Sequence, residues 1–119
     1  MPADPVAGSS AAYYRVSVGV DDDIAEEWLA WMRTIHVPEV LATGCFTGCT
    51  FTRQVEPESR GRRQCFLLEY GLATLDQFKA YEVRHAARLR EAHSARYSGQ
   101  FEASRSIAVL VDRLTPSTP

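Results

Sequence analysis

Cysteine is scarce and odd in number: Cys45, Cys49 and Cys65 are the only three in 119 residues. That excludes a framework of paired bridges and reads as reduced thiols. Cys45 and Cys49 also lack C-x-x-C spacing, so they are expected to be small buried residues rather than redox centres. No apolar run approaches the roughly 18 to 20 residues that cross a bilayer, so no membrane span is expected. The opening MPADPVAGSSAA has neither a basic region nor an apolar segment; a secretory signal is not expected, and the cytoplasm is the default location. Positive charge is not in excess either. A formal charge of -2 leaves nothing to neutralise a phosphate backbone, so nucleic acid is not expected as a partner. No glycine-rich phosphate loop, Walker sequence or nucleophile elbow occurs. His36, His85 and His93 form neither H-E-x-x-H nor an i, i+4 pair, so no metal site and no cofactor is expected.

What the chain does have is one dense stretch, WLAWMRTIHVPEVLATGCF from Trp28 to Phe46. Asp21, Asp22 and Asp23 precede it, and Glu26 three residues after Asp23 suggests a capping box that opens a helix. Ile24, Trp28, Trp31 and Ile35 recur at helical spacing, with Leu29 and Met32 beside them, which predicts one buried face. Pro38 removes a backbone donor and disfavours the helical region for Val37, so the helix is expected to kink or stop near His36. A short second turn, 38–41, then runs to a stop at Gly44.

Elsewhere the periods alternate between two and helical. Tyr14, Val16, Val18 and Val20 alternate with Tyr13, Arg15, Ser17 and Gly19 and predict a first strand over 13–20. A second strand is expected over 45–55, a charged hairpin loop over 56–63, and a third strand over 64–70 with Phe66, Leu68 and Tyr70 on one face. Thr74 with Gln77 suggests another capping box, opening a helix over 75–97 whose stripe reads Leu75, Phe78, Glu82, His85, Leu89, Ala92 and Arg96. Ser98 and Gly99 end it, and a fourth strand follows over 101–111. One domain over 13–112 between disordered tails, 1–12 and 113–119, accommodates all of this; an apolar content of 45% suits a single core.

The order β-α-β-β-α-β predicts an α+β, ferredoxin-like fold, two helices packed on one face of an antiparallel four-stranded sheet. Tyr13, Arg15, Ser17, Leu67, Glu69, Ser104 and Ser106 would occupy the other face. Such a mixed face suits pairing with a second copy, giving a homodimeric α/β barrel.

The segments W-L-A-W-M at 28–32, H-V-P-E-V-L-A-T-G-C-F at 36–46 and H-A-A-R-L-R-E-A-H at 85–93 together resemble an uncharacterised family of short bacterial proteins, a domain of unknown function of the DUF4286 type. Val37 and Ala87 stand where that family's pattern often has Ile and Pro. The resemblance implies a ferredoxin-like, dimeric α/β-barrel fold and carries no established activity, substrate or cofactor.

Six residues are candidates for a site. His36 and His85 are the candidate catalytic groups, as general bases or ligand donors. Glu39, three residues after His36, and Arg88, three after His85, are candidate ligand-binding groups, with Trp28 and with Glu69 on the mixed face. Each has a structural alternative: His36 as a helix cap, His85 as a core histidine bonded to a carbonyl or Glu82, the tryptophans as core. His93, Arg96 and Tyr97 read as the cationic end of a helix, with an anionic ligand there as the alternative. Two functions follow. One is a small-molecule-binding protein or a cofactor-independent enzyme, with its site between helices and sheet or inside a barrel. The other is a non-enzymatic, homodimerising interaction module.

Overall fold

The strand at the centre of the sheet is the one with the strictest alternation. In the computed structural model, which describes residues 10–59 and 61–117, β1 (Ala12–Asp21) lies between β3 (Arg63–Leu72) and β4 (Phe101–Val109), and β2 (Gly48–Arg53) flanks β3. All neighbours pair antiparallel. The sheet order β2-β3-β1-β4 with both helical segments between strands is the expected ferredoxin-like arrangement. Register follows the pleat: Val16 sits opposite Leu68 on one side and Arg105 on the other. Tyr14, Val18, Val20, Phe66, Leu68 and Tyr70 are all buried on the helix-covered face. Across β2, Thr50 pairs with Glu69 and Phe51 with Leu68, which assigns Thr50 and Thr52 to the open face.

The second strand is shorter than its β-rich composition suggests. Gly44 takes φ +78° and ends the preceding helix. Thr43 Oγ1 donates to the Val40 carbonyl at 2.7 Å and accepts the Cys45 amide at 3.3 Å, so pairing begins only at Gly48. Cys45 is therefore buried in a loop ahead of the strand, Cys49 is only partly buried, and all three cysteines are free thiols. At the ends, residues 1–9 of the expected tail lie outside the described residues. Backbone pairing begins before residue 13: Ala11 N–H donates to the Leu72 carbonyl and its carbonyl accepts from Leu110 N–H, each at 2.8 Å.

Each helical segment is continuous and carries a π turn. The first comprises a 3₁₀ turn, Asp22–Ile24, then α1 (Ala25–Trp31), a π turn Met32–His36 and α2 (Val37–Ala42). The second comprises α3 (Leu75–Tyr81), a π turn Glu82–Ala86 and α4 (Ala87–Tyr97). The helix does not stop near His36; the interruption expected there takes the form of the π turn. Pro38 has no N–H to offer the preceding turn; Val37 N–H reaches back to the Met32 carbonyl, and Thr34 Oγ1 donates to the Ala30 carbonyl at 2.7 Å. Pro38 then falls in the first turn of α2, where its missing donor costs nothing. Neither expected capping box forms a side-chain bond.

The π turns reset the helical phase and displace the later part of each expected stripe, while Trp28, Leu29, Met32 and Leu89 are buried as expected. In a regular helix Val40 would lie about 120° round from Trp28; one extra residue taken into the turn reduces this to about 20°. The buried face accordingly runs Trp28, Met32, His36 (partly buried) and Val40, and Ile35 is left 45% exposed. In the second segment the buried face runs Tyr81, Ala86, Leu89, His93 and Tyr97, while Glu82, Ala92 and Arg96 are exposed.

Candidate functional site

The space that the phase shift creates lies between the two helical segments and the β1–β4 half of the sheet. It is a cavity of about 40 Å³, room for water or part of a compact molecule. Met32, His36 and Val40 line it from the first segment, Tyr81, Arg90 and His93 from the second, and Tyr14, Tyr70, Phe101 and Arg105 are among the sheet residues that close it. Arg105 is an anomaly of pattern: it takes an inward position on β4 in series with Phe101 and Ala103, where alternation calls for an apolar side chain. It is exposed at the rim and makes no salt bridge among the described residues.

Two histidines face one another here. The rings of His36 and His93 are 5.7 Å apart. Trp31 stacks on His36 at 5.1 Å, and Phe101 meets His93 edge-on at 4.4 Å. Trp28, fully buried, donates its indole N–H to His93 Nε2 at 2.8 Å. An indole can only donate, so Nε2 of His93 must be unprotonated and the ring is held as the neutral Nδ1–H tautomer. His36 has no such partner: its buried Nδ1 makes no hydrogen bond among the described residues. Burial, and then the nearby charge of Arg105, lowers His36 to about 4. Burial, then His36 and Arg105, lowers His93 to about 4 as well. Both are therefore neutral at physiological pH.

The remaining polar groups are held in place by named partners. Arg90 donates through Nη2 to Glu82 at 2.7 Å and to Tyr14 Oη at 3.1 Å, while its buried Nε has no partner. Burial pushes Tyr81 up to about 12 and Tyr70 higher still, so the phenols of both stay protonated. No carboxylate lines the cavity. The site offers uncharged acceptors and donors inside and two guanidinium groups around them.

The six sequence candidates are distributed over three places. His36 lines the cavity, and Trp28 supports it from the core through His93. His85, Arg88 and Glu39 gather at a shallow surface groove with Ala42 and Thr43, Arg88 Nη2 lying 3.4 Å from His85 Nδ1. The π turn Glu82–Ala86 accounts for this, since it buries Ala86 and leaves His85 at the surface. His36 and Glu39 are likewise not brought together, and His36 is inside a continuous helix rather than capping one. Glu69 lies on the open sheet face, paired with Arg15 at 2.8 Å. The cavity residues not anticipated are His93, Arg90, Arg105, Tyr14 and Tyr81. For His93 the signal was present: Leu89, His93 and Tyr97 keep i, i+4 spacing.

Among the described residues no group of three or more His, Cys, Asp or Glu side chains is placed to hold a metal ion. No helix among them is long and apolar enough to cross a membrane.

Two solved structures, each described as a dimeric ferredoxin-like protein from an uncultured marine organism, share this architecture. One has 11% sequence identity and a TM-score of 0.57, covering 87% of this chain and 98% of its own. The other has 7% identity and a TM-score of 0.59, covering 89% of this chain and 100% of its own. At such identity the likeness is one of fold. No curated protein matches the sequence. The family described as Domain of unknown function (DUF4286) matches residues 11–111, nearly the whole chain, and the protein belongs to that family.

Proposed function

We propose that this protein binds a small molecule in the cavity between its helices and sheet, and that it does so as a homodimer paired through the open sheet face. The observation that carries the first part is the buried, unpartnered Nδ1 of His36, in a cavity where Arg90 Nε also lacks a partner. A buried polar atom without a partner is destabilising by about 1–3 kcal/mol, and two in one cavity are accounted for by a ligand or water that completes them. Of the two candidate catalytic histidines, His36 is the one we assign to the ligand, with His93 in place of His85. The dimer reading is supported by the open face, where Ser17, Gly19, Cys65, Leu67 and Ser104 line a broad depression, and by the dimeric description of the two structural neighbours.

Trp28 and Trp31 both touch the cavity histidines, so tryptophan fluorescence reports occupancy. Titration with a panel of small carboxylates, amides and phenols is expected to give a saturable change that Ala103→Leu, which fills the cavity, removes. Saturable changes that survive Ala103→Leu would place binding elsewhere. Sedimentation should find a dimer that Leu67→Glu dissociates; a wild-type monomer at high micromolar concentration would end the dimer reading.

A further inference from the structure

The cavity's charge and its hydrogen-bond inventory say more about the ligand than its size does. The inference that follows rests on the cavity reading above and names the ligand class. We propose that the cavity takes a compact monoanion together with one proton, the anion lying between Arg105 and Arg90 and the proton settling on His36.

Every element that packs against His36 contributes to the argument. From β4, Arg105 stands at the rim with no carboxylate paired to it among the described residues. From α4, Arg90 brings a second guanidinium, with Glu82 holding its outer nitrogen, while His93 is locked as a neutral ring by Trp28. From β1, β3 and α3 come the phenols of Tyr14, Tyr70 and Tyr81, donors with no negative charge. Trp31, on the same helical segment as His36, adds only an aromatic face. An anion entering this space meets Arg105 unpaired and Arg90 already paired through one nitrogen with Glu82, while no carboxylate lines the cavity itself. A cation would meet the unpaired charge of Arg105 and is disfavoured.

The proton follows from the same inventory. In the empty cavity a charged His36 would stand in a desolvated space beside Arg105, so the ring stays neutral. An anion reverses that balance: a negative charge within a few ångströms favours the imidazolium, and the unpartnered Nδ1 becomes a charge-assisted donor to it. His93 cannot take the proton on Nε2 without losing the bond from Trp28, so His36 is the acceptor. No bond to carbon is made or broken; the proton comes from solvent and returns to it on release.

Trifluoroacetate and trifluoroacetamide form a matched pair of probes, nearly equal in shape, the first ionised throughout the range of interest and the second neutral. Fluorine NMR titrations of the wild-type protein at pH 5, 6, 7 and 8 are expected to show trifluoroacetate binding at least about tenfold more tightly than the amide at pH 6. Its affinity should strengthen as pH falls by up to about tenfold per unit, because bound protein carries one more proton than free. His36→Gln should keep binding but lose the pH dependence. Arg105→Gln, at an exposed rim position, should weaken trifluoroacetate at every pH and leave the amide unchanged. A pH-independent affinity in the wild type, or an undiminished pH dependence in His36→Gln, would overturn the inference. Binding of the amide alone would overturn the ligand class and leave the cavity reading standing; binding of neither would remove both.

Discussion

The two helical segments are built alike and treat their histidines in opposite ways. Each is interrupted by a five-residue π turn, Met32–His36 in one and Glu82–Ala86 in the other, and each turn contains a histidine. In the first, the turn ends on His36 and brings it over the sheet, against Trp31 and His93. In the second, the same device buries Ala86 and leaves His85 one position short, beside Arg88 at the surface. The residue that enters from the second segment is His93, two turns further on. A single inserted residue thus decides which of two similar histidines meets the cavity, and composition alone does not reveal it.

The comparison can be broken at several points, the first being its shared support. Trp28 is fully buried and holds His93; Trp28→Ala is expected to destabilise the fold by about 3–5 kcal/mol in denaturant unfolding. Trp28→Phe, which keeps the ring and removes the donor, should cost about 1–3 kcal/mol. A loss below about 1 kcal/mol for the alanine variant would mean that the core is not organised around this residue.

Next in size is the effect of acid. With His36 and His93 both lowered to about 4 in the folded protein, against about 6.5 in an unfolded chain, the unfolded state binds more protons between those values. Stability is therefore present in full above about pH 6.5 and lost as pH falls towards 4, by up to about 3 kcal/mol for each histidine. Thermal unfolding from pH 7 to 4 should show that loss, and the double variant His36→Gln, His93→Gln should flatten it. An unchanged slope would place the acid sensitivity elsewhere.

Smaller effects sharpen the contrast between the segments. Deleting Arg84, exposed within the second π turn, shortens the Tyr81–Ala86 spacing from five to four and keeps both on one face of a regular helix; folding should be retained with a cost near 1 kcal/mol. His85→Ala should leave cavity binding unchanged, whereas His36→Ala should weaken it. The smallest effect is expected on the open face, where Arg15→Ala breaks a half-exposed pair with Glu69 and should cost less than about 1 kcal/mol.

The fold was largely legible from the sequence because its strands keep strict alternation. Tyr14, Val16, Val18 and Val20, and Phe66, Leu68 and Tyr70, specify β1 and β3 and the face that each buries. The bounds of the second helical segment were also legible, from Thr74 and from Gly99, whose φ of +79° suits glycine at a helix end. Helical phase was not. A stripe drawn at a constant 100° per residue runs through His85 and Ala92, and a π turn displaces it by a whole residue. The clue lay in spacing: Trp28, Met32, His36 and Val40 at uniform intervals of four fit a helix with an added residue better than a regular one. Arg105 was legible only by implication: Ser104 and Ser106 on the open face leave it on the helix-covered one, as its register opposite Val16 shows.

The most direct test of the cavity account is a proton NMR titration of the imidazoles, alone and with saturating trifluoroacetate. In the free protein His36 and His93 should both titrate near pH 4, and the anion should raise His36 towards neutrality while His93 stays low. A His36 that titrates near 6.5 in the free protein, unmoved by the anion, would contradict the account.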